Sequence, residues 1–162
     1  MISNPLESAK SRKQKLIELG AETLAEVLLN LAVHFDEADD LIDRLIATPK
    51  ENVQRFKKKL SVLKQSRRFI DWRGVSSFAR ELEMLLQDVK AGVADPLTGV
   101  EFVAAFYEAD STIFEMCDDS SGTIGDVFRS DAKELFVEYA SRCADKDKIA
   151  GIILKLNCTD NY

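Results

Sequence analysis

The sequence predicts an all-α protein, and three observations carry that prediction. Apolar residues recur at helical spacing through most of the 162-residue chain. Helix breakers are few, with 7 Gly and 3 Pro. The β-branched residues are scattered rather than alternating, so no strand is expected. About eight helices in antiparallel pairs follow, stacked as an α-solenoid of the HEAT or TPR kind or closed into a compact helical bundle.

Residues 6–19 read as a weakly amphipathic first helix with a basic middle, ended at Gly20. Over 21–34, Leu24, Val27, Leu28, Leu31 and Phe35 recur at helical spacing. Asp36 is placed to cap a third helix, whose stripe of Ala38, Leu41, Ile42, Leu45 and Ile46 lies opposite a carboxylate-rich face. Thr48-Pro49 ends it and opens a fourth over 50–66, because proline is tolerated at a first helical position. That helix has a narrow seam of Val53, Phe56, Leu60 and Leu63.

An apolar knot around Trp72, the single tryptophan, follows, and Phe69 and Trp72 are expected in the core. The helix over 74–91 is the cleanest: Val75, Phe78, Ala79, Leu82, Leu85, Leu86 and Val89 form a stripe wide enough for two neighbours. Gly92 to Gly99, containing Asp95-Pro96, reads as a loop. Val100 to Cys117 is apolar nearly all round and is expected as one central helix. After a turn at 118–122, Thr123 can cap a long helix to about 143, and a last helix from about 146 carries Ile149, Ile152, Ile153 and Leu156.

Residues 24–31 are matched in type by residues 149–156, an echo that favours a helical repeat. The chain is read as a single helical domain over 1–162 that would suit a fragment of a longer repeat protein.

Composition narrows the function classes. At 46% hydrophobic and 31% charged the chain is of globular type. No run approaches the ~20 apolar residues of a membrane span, so no membrane partner is expected. Cys117, Cys143 and Cys158 are odd in number and never form a C-x-x-C pair, which argues against a disulfide framework or structural zinc and for the cytoplasm.

The net charge of −6 argues against the whole chain being a nucleic-acid binder. The charge is uneven, however: Lys50 to Arg73 holds nine basic residues against Glu51 and Asp71, a window of +7 that leaves −13 elsewhere. The candidate interaction surface is therefore Arg55, Lys58, Lys59, Lys64, Arg67 and Arg68. It could meet nucleic acid, an acidic protein or an anionic membrane surface, or it faces the chain's own acidic helices or solvent.

Catalytic signatures are weak. Asp110, Glu115, Asp118, Asp119 and Asp126 surround one junction, yet their spacing misses the calcium-loop pattern, and Asp before a helix usually caps it. His34, the single histidine, excludes a His-based metal site. No Gly-x-Ser-x-Gly elbow or phosphate loop is present. No catalytic residue, metal or cofactor is expected. Asp71, Trp72, Arg73, Asp118 and Asp119 are instead a candidate structural latch, with Asp71 capping the next helix and Arg73 paired with Asp118 or Asp119.

Three stretches carry a resemblance: 19–29 (LGAETLAEVLL), 68–73 (RFIDWR) and 118–129 (DDSSGTIGDVFR). In this order they resemble an uncharacterised bacterial family of all-helical domains of unknown function, some found in proteins annotated with a SWIM-type zinc finger. The resemblance implies helical-repeat architecture and a longer parent protein. The Cys and His pattern of such a finger is missing here, so no metal or nucleic-acid role carries over.

The leading expectation is a non-enzymatic interaction or scaffolding module with a protein partner. The alternative is a nucleic-acid-associated accessory domain using the basic helix 55–68. A metal-dependent enzyme at 118–126 comes third.

Overall fold

Caps and breakers set the helix boundaries in this computed structural model, which describes residues 5–159. The chain is helical throughout apart from its connections, as the periodicity predicts. A parallel bridge between Ile70 and Cys117 is the one β pairing among the described residues. Contacts divide the chain into two compact units, with the division between Ile46 and Ala47.

The first unit contains α1 (Pro5–Leu19), α2 (Ala21–His34) and α3 (Asp36–Ile46). Gly20 separates α1 from α2 at φ +84°, a left-handed geometry that glycine adopts without strain. Asp36 begins α3 rather than preceding it, and the Phe35 carbonyl accepts from the Ala38 and Asp39 N–H groups. Along α2 and α3 no side chain is buried.

The second unit begins with α4 (Pro49–Gln65). Thr48 and Glu51 form a reciprocal capping box: the Thr48 hydroxyl accepts from Glu51 N, and Glu51 Oε2 accepts from Thr48 N at 2.7 Å. The buried stripe of α4 is Asn52, Phe56, Leu60 and Leu63. All seven apolar positions expected on α5 (Val75–Gly92) are buried. The two helices run antiparallel, since Arg55 near the start of α4 reaches Asp88 near the end of α5. Gly92 permits this approach: a methyl there would meet the Pro49 carbonyl at 2.8 Å.

Two expectations fail here. Residues 96–99 are helix rather than loop, because Asp95 caps α6 (Pro96–Tyr107) by accepting from Thr98 N at 2.8 Å, with Pro96 at the first helical position. The single central helix expected to Cys117 is broken at Glu108–Ala109, and α7 (Asp110–Glu115) follows as a separate short helix. α6 is nonetheless central, with Val100, Val103 and Phe106 fully buried.

From Thr123 to Arg142 the chain is one helical run: α8 (Thr123–Asp126), a π-helical stretch (Val127–Ala132) and α9 (Lys133–Arg142). Tyr107 donates to the Phe128 carbonyl inside the π stretch at 2.8 Å. The Tyr139 hydroxyl donates to the Val93 carbonyl at 2.8 Å and lies 3.3 Å from that of Val89, so it closes the C-terminal end of α5. Its ring lies against Gly99, where a side chain would overlap it. Finally, α10 (Lys146–Thr159) buries Ile149 and half-buries Ile152 and Leu156.

Candidate functional site

Of the residues singled out from sequence, Arg67, Arg68, Asp71, Trp72 and Arg73 lie in the connection between α4 and α5, Asp118 and Asp119 in the turn after α7, and Arg55, Lys58, Lys59 and Lys64 along α4. From Arg67 to Ile70 the backbone is non-helical, and Ile70 pins it to the turn after α7. Ile70 N donates to the Met116 carbonyl at 2.7 Å, and Asp118 N donates to the Ile70 carbonyl at 2.9 Å. The latch between the two junctions is therefore main-chain. Asp71 Oδ1 accepts from Arg73 N and Gly74 N at 3.1 and 3.2 Å, fixing the entry to α5. Gly74 is needed there, because a methyl would come within 2.8 Å of Ile70 Cγ2.

The pairing expected for Arg73 is not the one found. Its guanidinium lies 5.1 Å over the Trp72 ring. Asp118 Oδ1 accepts from Ser120 N, while Asp119 accepts from Ile124 N and Gly125 N, both at 2.9 Å. The two carboxylates thus organise the turn and the start of α8. Among the described residues no cluster of three or more His, Cys, Asp or Glu could hold a metal ion. Burial, with Asp119 and Asp118 nearby, pushes the Cys117 thiol above its ordinary range, which works against thiolate formation.

The largest correction concerns Phe69 and Trp72. Expected in the core, they are 68% and 64% exposed. In an extended segment successive side chains point to opposite sides, so turning Ile70 inward turns its neighbour Phe69 outward.

The basic residues divide into two groups. Arg55 is 3.7 Å from the buried Asp88 carboxylate and donates to Asn52 Oδ1, so it faces the chain's own acidic group. Arg68 bonds Glu81 on α5 at 2.9 Å and lies over the Phe78 ring. Lys59 is half-buried. In contrast, Lys58, Lys64 and Arg67 are exposed and have no ion pair among the described residues.

One comparison bears on identity: a sequence model described as a family of unknown function, DUF6880, matches residues 8–162. The chain belongs to DUF6880. No curated protein and no solved structure matches it. The 68–73 and 118–129 stretches that suggested an uncharacterised helical family meet where the Asp118 N–H bonds the Ile70 carbonyl in this DUF6880 chain. Their shared feature is a packed junction between helix pairs. The DUF6880 sequence gave one missed signal for the exposed aromatics: Phe69 and Trp72 are embedded among Arg67, Arg68, Asp71 and Arg73, which a buried segment would not tolerate without partners.

Proposed function

We propose that the chain is a non-catalytic helical interaction module whose apolar α2–α3 layer docks a helix of a protein partner. The observation that carries this reading is the exposure of Val27, Leu31, Leu41 and Leu45, at helical spacing on two helices that pack along each other. A large contiguous apolar surface on a folded chain marks an interaction site. Ridges at i and i+4 suit an amphipathic helix laid across them. In a solenoid the next helical pair takes that place. The buried free thiols Cys117 and Cys143 support a reducing, cytoplasmic setting. No helix among the described residues is long and apolar enough to cross a membrane.

Affinity capture with cross-linking mass spectrometry, comparing the full chain with a Leu31→Glu/Leu45→Glu variant, tests the proposal. Both positions are exposed, so the helices should persist. The expected result is a partner cross-linked to residues 21–46 by the wild type and lost from the variant. A partner set that the variant leaves unchanged would overturn the reading.

A second reading, the nucleic-acid accessory domain of the basic helix, has one specific observation in its favour: the exposed rings of Phe69 and Trp72 follow the exposed Lys64 and Arg67 closely in sequence.

A further inference from the structure

We propose that the segment from Lys64 to Arg73 binds single-stranded nucleic acid, with bases stacking on Phe69 and Trp72 and phosphates meeting Lys64, Arg67 and Arg73. This rests on the second reading above and moves its recognition surface from the helix to the connection after it.

Sequence-tolerant single-strand binding needs exposed aromatic planes and nearby cations. Phe69 and Trp72 supply the planes within four residues, and the Arg73 guanidinium lies over one face of Trp72, leaving the other to a base. Lys64 and Arg67 are exposed and not committed to carboxylates among the described residues, whereas Arg68 is held by Glu81. The segment is also held in place before any ligand arrives. The two main-chain bonds at Ile70 and the Asp71 turn fix the backbone between the aromatics. A preorganised segment loses less conformational freedom on binding.

The same observations disfavour other polyanions. A duplex keeps its base faces stacked inside, leaving two aromatic rings without a partner, and a net charge of −6 opposes its dense rows of phosphate. An acidic peptide would pair the cations but offers no set of planar faces. A membrane surface would draw Phe69 and Trp72 toward the acyl boundary and take the Asp71 carboxylate, between them in sequence, with it.

Trp72 is the only tryptophan, so its fluorescence reports this site alone. The full chain would be titrated at low salt with a thymidine oligonucleotide, a duplex of equal length, polyglutamate and phosphatidylserine vesicles. Saturable quenching by the single strand, weakening steeply with salt, is expected. Anisotropy of a labelled oligonucleotide should show Phe69→Ala and Trp72→Ala each weakening binding about tenfold or more. Both side chains are exposed, and an unchanged circular dichroism spectrum and melting curve would confirm folding.

If the aromatic variants bind as the wild type does while Lys64→Glu/Arg67→Glu abolishes binding, stacking is overturned and the broader nucleic-acid reading stands. Absence of binding to every nucleic acid at low salt would overturn both. A response to the duplex matching that to the single strand, or to polyglutamate or vesicles instead, would overturn the proposal in favour of that ligand.

Discussion

Residues 10–46 and residues 47–157 are both helical and both rich in leucine, isoleucine and valine, yet they use those side chains in opposite ways. In the second stretch Leu82, Phe106, Ile113 and Ile124 are fully enclosed, and a continuous core runs from Phe56 to Tyr139. In the first no described side chain is buried. Helical periodicity predicts an apolar stripe equally well in both. Whether a stripe becomes core depends on how many neighbours can close over it, and three successive helices enclose far less than the layers around α5 and α6.

The contrast can be broken most directly by truncation. Leu82→Ala removes a side chain with 0% exposure and should destabilise the 47–159 unit by about 3 kcal/mol. Leu31→Ala, at a position 42% exposed, should change the stability of its own unit, the helices up to Ile46, by less than about 0.5 kcal/mol. Urea denaturation followed by circular dichroism measures both, and equal effects would abolish the distinction drawn here.

A smaller change adds an atom instead. Gly99→Ala forces the Tyr139 ring off its site and strains the bond to the Val93 carbonyl, for an expected loss of about 2 kcal/mol. Thermal melting would show it, and Tyr139→Phe should recover none of that loss.

The smallest effect concerns pH. The Thr48 hydroxyl, then the Thr48 N–H, hold the Glu51 carboxyl below its usual 4.5. A depressed folded pKa gives stability that is complete above the ordinary value and lost as pH falls through the folded one. Thr48→Ala should therefore lower the melting temperature at neutral pH and flatten the decline in stability below pH 4.5, as thermal melts across that range would show. Asp95 and Asp145, lowered chiefly by cap bonds to Thr98 and Lys148, would preserve part of that decline.

Much of the fold was legible because its signals are local. The α5 stripe is defined by period alone, and Thr48-Pro49 marks the start of α4, although the capping box that Glu51 completes there was not read from it. Asp95-Pro96 was misread because the same dipeptide marks either a turn or a cap followed by a first helical residue. The Thr98 N–H decides between them, and that bond exists only once the helix has formed.

The site was less legible for a different reason. Hydropathy places Phe69 and Trp72 inside, but the side on which Phe69 falls is fixed by the pairing of Ile70 with residues 116–118, which are distant in sequence, while Trp72 sits in the turn that Asp71 closes. Likewise, which cations face α5 follows from the α4–α5 register. The opposite charges of Arg55 and Asp88 are visible in the sequence, while their proximity is not.

The π stretch from Val127 to Ala132 has a consequence for hydrogen bonding rather than for length. A π turn bonds i to i+5 and so interrupts the regular i to i+4 ladder of the helical run. Within that interruption the Phe128 carbonyl accepts from the Tyr107 hydroxyl at 2.8 Å, so the irregularity is also the point at which α6 is tied to the run from Thr123 to Arg142.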